Sequence, residues 1–270
     1  MLSITPPQNI SHSKVSGNKS EVIIEPCYPG YGVTIGNSLR RALLASLDGA
    51  AIVGFKIKGV DHEFTSIENV KEDVVEIILN LKKIRIKIHE MPEDGDIKLT
   101  LKVSGEKKVT AADIDKDSNV EVINKDQIIA TLTDAKGDLE MEIFVRTGRG
   151  YETVEQREKE KLEIGTIAID SLYSPVVNVG FNIESTRVGE MTNFEKLIMM
   201  VETDGSITSE EALSRATGLL VKQFSALLEE EVVKPKKVTK KKAVKLEEKV
   251  EELPEEEEVA KPGRPKKDDK

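Results

Sequence analysis

Between Ile84 and Gly148 the chain passes through five segments, IRIKIHE, DIKLTLKVSG, NVEVIN, QIIATLT and LEMEIFVRTG, in which apolar and polar residues alternate. Alternation places successive side chains on opposite faces of a strand, so each segment reads as a half-buried strand of an antiparallel sheet. Turn residues separate several of them, as in Glu93-Asp94-Gly95-Asp96 and Ala135-Lys136-Gly137. A middle so committed to period two leaves helical patterns to be sought in the flanks.

The flanks supply them. TIGNSLRRALLASLDGA carries Leu39, Ala42, Leu43, Leu44 and Leu47 in a stripe spaced by three and four, which predicts a short helix that Gly49 stops. NVKEDVVEIILNLKK predicts a second amphipathic helix, burying Val70, Val74, Ile77, Ile78 and Leu81. Strands are expected at Val22 to Ile24 and Ala51 to Val60. More follow in TIAIDSLYSPVVNVGFNIESTRVG and NFEKLIMMVETDGS. ETVEQREKEKLE, from Glu152 to Glu163, reads as a charged, exposed loop. A long helix is predicted from Ser209 to about Glu231, with Thr208 and Glu211 as its capping box. Its apolar stripe is wide, and two readings stay open: it lies on its own sheet, or one flank also meets a second subunit.

Charge marks the last boundary. Residues 234–270 hold 13 Lys+Arg and 10 Asp+Glu, a net of +3, which leaves 27 basic and 39 acidic residues before them, a net of -12. The tail is blocky, Pro-bearing and free of aromatics, so it is expected to be disordered.

Composition narrows the function. Aromatics are 4% of residues and Trp is absent, which argues against base stacking or sugar binding as the main activity. A single cysteine, Cys27, excludes an internal disulfide framework and a Cys-cluster zinc site, and His12, His62 and His89 lack metal-ligand spacing. With no apolar run near the ~20 residues of a membrane span and no basic-then-apolar leader, a reducing cytoplasm is expected, with no membrane partner.

The motifs that invite chemistry do not complete it. GYGVTIGN follows a strand and opens a helix, but its glycines at 30, 32 and 36 miss the dinucleotide spacing and no Gly-Lys-Ser/Thr follows. Lys56 stands where an acidic ribose ligand belongs, so a tight strand-to-helix turn is the better reading. Asp113, Asp115 and Asp117 begin like a calcium loop, yet Ser118 and Asn124 occupy its glycine and glutamate positions. No nucleophile–base set can be assembled, and a binding or assembly protein without a cofactor is expected.

At these same residues the chain resembles the family of bacterial DNA-directed RNA polymerase α subunits. GYGVTIGNSLRRALLASLDGA, GVDHEFTSIENVKEDVVEIILNLKKI, VTAADI, Arg149-Gly150-Tyr151, DSLYSPVVNVGFNIESTRVG and ETDGSITSEEALSRATGLL match in order, over roughly residues 10–231. The resemblance implies an α+β unit in two lobes: a dimerisation lobe from 1–48 and 174–233, and an inserted β-rich lobe at 49–173. The homodimer would be the scaffold on which the β and β′ subunits assemble, with ω and sigma in the same complex. That complex is a nucleotidyltransferase whose catalytic residues lie on other subunits, in the cytoplasm and at the nucleoid.

The resemblance also assigns residues. Arg41 and Leu44 match β docking, with Glu76 and Lys82 on the second helix, and Ile169 and Val176 fall on the β′ side. Leu39, Leu43 and Leu47 would cross Leu213, Leu220, Phe224 and Leu227 of a second copy.

The chain departs from the family after Val233, where nothing matches its compact helical C-terminal domain, and recognition through that domain is not carried over. In its place Lys261-Pro-Gly-Arg264-Pro-Lys266-Lys267 resembles an AT-hook core, which makes Arg264, Lys266 and Lys267 candidate minor-groove contacts. The alternative function is a free-standing DNA-binding or chromatin protein acting through that tail, which the body's net negative charge opposes.

Overall fold

The structure, a computed structural model, describes residues 4–90, 95–157 and 165–227. In chain order the elements are β1 (Asn9–Ser16), β2 (Lys19–Cys27), α1 (Tyr31–Ala45), β3 (Asp48–Ile57), α2 (Val74–Leu81), β4 (Ile86–Ile88), β5 (Ile97–Ser104), β6 (Lys107–Thr110) and β7 (Val120–Val122). They continue with β8 (Ile128–Leu132), β9 (Asp138–Arg149), β10 (Tyr151–Glu152), β11 (Ile167–Ala168), β12 (Ser171–Leu172), β13 (Val176–Val188), β14 (Met191–Thr203) and α3 (Ser209–Ser225). Every strand pairing between them is antiparallel, and the fold is α+β.

Two sheets carry the architecture. One has the order β1-β2-β14-β13, built from both ends of the described chain. Its inward parity, Val22, Ile24, Val179, Leu197, Met199 and Val201, meets α1 through Leu39 and Leu43, the turn after it through Leu47, and α3 through Ala212, Leu213 and Ala216. The other sheet has the order β5-β9-β3-β4-β7, with β11 also on β3. Its core joins Phe55, Leu101, Leu139, Met141 and Ile143 to Ile77 and Leu81 of α2 and Ile129 and Leu132 of β8. The alternating segments thus become strands as expected, because their apolar parity is the one that faces this core.

Some elements depart from the sequence reading. The second helix is shorter than NVKEDVVEIILNLKK, starting at Val74 with Asp73 as its cap, whose carboxylate accepts from Glu76 N at 2.7 Å. Asn69 has φ 61, and the residues after it run extended beside β8: Lys71 N donates to Thr131 O at 3.0 Å, and the Glu72 carboxylate accepts from Thr131 N at 2.6 Å. Sheet partners took the backbone groups that a longer helix would have used. At α3, Thr208 accepts from Glu211 N at 3.2 Å, so half of the capping box forms. The Glu211 side chain turns instead to Arg215, one helical turn on.

The described part of the Glu152–Glu163 excursion, residues 152–157, is not simply an exposed loop, and 158–163 lie outside the described residues. Residues 155–157 form a 3-10 turn that carries Arg157 inward to 7% exposure. Its guanidinium donates to Val53 O at 3.0 Å, to Ser171 Oγ at 3.3 Å and to Ile169 O. A charge can be buried there because carbonyls and a hydroxyl receive protons from its two terminal nitrogens and the Glu152 carboxylate lies 3.7 Å from Nε.

Candidate functional site

Helix α1 is positioned by its glycine turn. Gly30 has φ 83, a left-handed conformation that favours glycine. That geometry aims the Gly30 and Gly32 N–H groups at one carboxylate, that of Glu195 on β14, at 2.8 Å each. A Cβ on Gly32 would lie 2.6 Å from Glu195 Oε2, so any side chain there would push the carboxylate away from the turn. The free N–H groups that open a helix form a natural anion site, and here the chain's own carboxylate fills it. Burial pushes the nearby Cys27 thiol up, and the Glu195 charge adds to that effect. Tyr28 stacks edge-on against Tyr31 and Phe194, with ring centroids 6.0 Å apart in each pair.

So anchored, α1 turns Leu39 and Leu43 into the core, with Leu47 of the following turn beside them, and leaves Arg40 and Arg41 exposed. Neither arginine makes a hydrogen bond or ion pair with any described residue. Leu44 is half-buried, one turn from Arg41 on the same face, and α1 contains no acidic residue.

Along α3 the apolar residues sort by depth. Leu213 is buried and Leu220 half-buried, whereas Phe224 and Leu227 are 58% and 78% exposed, with Val221 exposed beside them. Leu39, Leu43, Leu47 and Leu213 therefore hold their own sheet and have little surface left to offer, while Phe224 and Leu227 have most of theirs.

Around the second core, Glu76 is exposed on α2, as are the neighbouring apolar Val75 and Leu79. Lys82 is paired with Asp170 at 3.1 Å. Asp170 also accepts from Val154 N at 3.0 Å, and that bond, with the Lys82 ammonium, holds its carboxyl below the usual range although burial pushes it the other way. Ile169 and Val176 are buried, one in each core, so their side chains present no surface, while Val177 next in sequence is exposed. Arg264, Lys266 and Lys267 lie outside the described residues.

Glu195, Arg157 and Asp170 were not singled out by sequence reasoning. Glu195 leaves a trace, an acidic residue on the parity that Leu197, Met199 and Val201 turn inward. Arg157 leaves none within a run of charges. No cluster of His, Cys, Asp or Glu that could hold a metal ion occurs among the described residues, and no described helix is long and apolar enough to cross a membrane.

Comparison with known proteins agrees with this architecture. Residues 55–174 match the RNA polymerase Rpb3/RpoA insert domain. The DNA-directed RNA polymerase subunit alpha of Maridesulfovibrio salexigens is 47% identical over 225 residues, covering 83% of this chain and 64% of the relative. That of Clostridium acetobutylicum is 44% identical over 229 residues, 84% of this chain and 71% of the relative. That of Macrococcus caseolyticus is 46% identical over 207 residues, 77% of this chain and 65% of the relative. The chain thus spans 64–71% of the length of these curated relatives. It belongs to the family of DNA-directed RNA polymerase alpha subunits.

Proposed function

We propose that the chain is a homodimeric scaffold that assembles the β and β′ subunits of RNA polymerase for DNA-templated transcription and has no catalytic residue of its own. Residues 1–48 and 174–233 form the dimerisation lobe and 49–173 the inserted lobe, a division supported by the two separate hydrophobic cores. The observation that carries the reading is the outward face of α1. An exposed arginine without a described partner, beside a half-buried leucine on a helix without acids, suits a carboxylate and an apolar contact on another polypeptide. Arg41 pairs the carboxylate and Leu44 buries beside it, while Glu76 on α2 adds a second, charged contact.

The test is co-purification of the tagged chain with β and β′, comparing wild type with Arg41→Ala and sizing the free chain. The expected result is a dimer that captures β, with capture reduced about tenfold or more in the variant and the dimer intact, the cost of leaving a buried charge unpaired. A monomeric chain that captures neither subunit would defeat the reading.

A further inference from the structure

The chain crosses between its two cores twice, and the crossings grip each other. On the way out, Leu47, buried with α1 and α3, is followed at once by Asp48 at the head of β3. On the way back, Tyr173 leads through Ser174 and Pro175 to Val176, again in the α1/α3 core. Tyr173 itself is 2% exposed and belongs to neither core, packing instead with Ala51 and Val53.

Its seat is cut from the second sheet. Gly49 of β3 and Gly148 of β9 are cross-strand partners, and both lie against Tyr173. A Cβ on Gly148 would stand 2.7 Å from the Tyr173 ring, and one on Gly49 only 1.8 Å from the Tyr173 carbonyl oxygen. The missing side chains of a glycine pair therefore make the recess that the residue fills.

Hydrogen bonds close the joint on all sides. Tyr173 N donates to Gly150 O at 2.8 Å, and its hydroxyl donates to Glu152 Oε2 at 3.1 Å. Ser174 Oγ donates to Leu44 O at 3.0 Å, which ties the returning strand to the end of α1. Asp204 N donates to Pro175 O at 3.0 Å from the turn before α3. A hinge needs a few residues free to change φ and ψ, and these four hydrogen bonds and the buried ring oppose that change at the crossing.

We propose that Tyr173 is the pin of a locked joint that fixes the two cores in one orientation, and that capture of β depends on that orientation. The second half rests on the scaffold reading above, in which α1 and α2 contribute to one docking event. Tyr173 is then a positioning residue, acting through the angle between the cores and touching no partner.

The test measures orientation and capture separately in the full chain. Spin labels on Lys116→Cys and Glu190→Cys, diluted with unlabelled chain, report the distance between the two cores, and the fully buried native Cys27 stays unlabelled. Wild type is expected to give one narrow distance distribution. Tyr173→Ala broadens it, and β capture falls about tenfold if only about a tenth of molecules hold the competent orientation. Tyr173→Phe keeps the ring in its recess and preserves both readouts. Should Tyr173→Ala fail to fold, Gly148→Ala displaces the same ring and takes its place.

A distribution that stays narrow in both variants overturns the joint. A broadened distribution with wild-type capture overturns its role in docking. A wild-type chain that captures no β defeats the scaffold reading, and with it the docking half of the proposal, while the distance distribution still decides the joint.

Discussion

Glu195 occupies a position on β14 where alternation calls for an apolar side chain, and it is held there by two N–H groups at the start of α1. Replacing it with Gln keeps the shape but removes the charge and turns one acceptor into a donor facing an amide N–H. A lost charge-assisted bond plus an unpaired helix N–H is worth about 1–3 kcal/mol. Glu195→Gln is therefore expected to lower the urea midpoint at unchanged m-value, with little effect on the exposed α1 face. An unchanged midpoint would mean that water replaces the carboxylate at no cost. The glycine turn was legible as a strand-to-helix turn, since its spacing fits no phosphate loop. What fills it was not, because Gly32 and Glu195 are 163 residues apart and pair only once the sheet has formed.

At the scale of elements, packing sets α1 against β13 and β14 more closely than most side chains permit. A Cβ at Gly36 would come within 2.9 Å of the Phe181 ring and 3.1 Å of Leu197 Cδ1. Gly36→Ala gains about 1 kcal/mol of helix propensity, while overpacking costs about 1–3 kcal/mol. Since neighbours on two strands would both have to yield, packing wins, and thermal unfolding should occur below the wild-type temperature. A higher temperature would show that the ring shifts freely. Period two identified the long strands and period 3.6 the helices, since each of these buries one face. β1 escaped notice because all eight of its residues are exposed and no burial pattern marks it. The front of the second helix was misjudged for the opposite reason: Val70 is partly buried, but through an extended strand-like contact that mimics helical spacing.

For the whole molecule, a dimer of the proposed kind would have to form between copies that repel, since residues 1–233 carry a net charge of -12 each. Apolar contact has to overcome that repulsion, and among the predicted interface residues the exposed area sits at the end of α3, on Phe224 and Leu227, with Leu220 half-buried behind them. Leu39, Leu43 and Leu47 would contribute to it only indirectly, by holding α1 and the turn after it to the sheet and α3. Two variants separate these roles. Phe224→Glu with Leu227→Glu places new negative charge where the copies would meet, but touches almost nothing within one copy. It should convert dimer to monomer in sedimentation while leaving the monomer's stability within about 0.5 kcal/mol. Leu43→Ala, in contrast, removes a fully buried side chain and should cost about 2–5 kcal/mol of folding stability. If the Glu pair left the dimer intact, the copies would have to meet elsewhere, and the wide stripe of α3 would end at its own sheet. If it dissociated the dimer and β capture persisted in the monomer, the scaffold would need only one copy at a time.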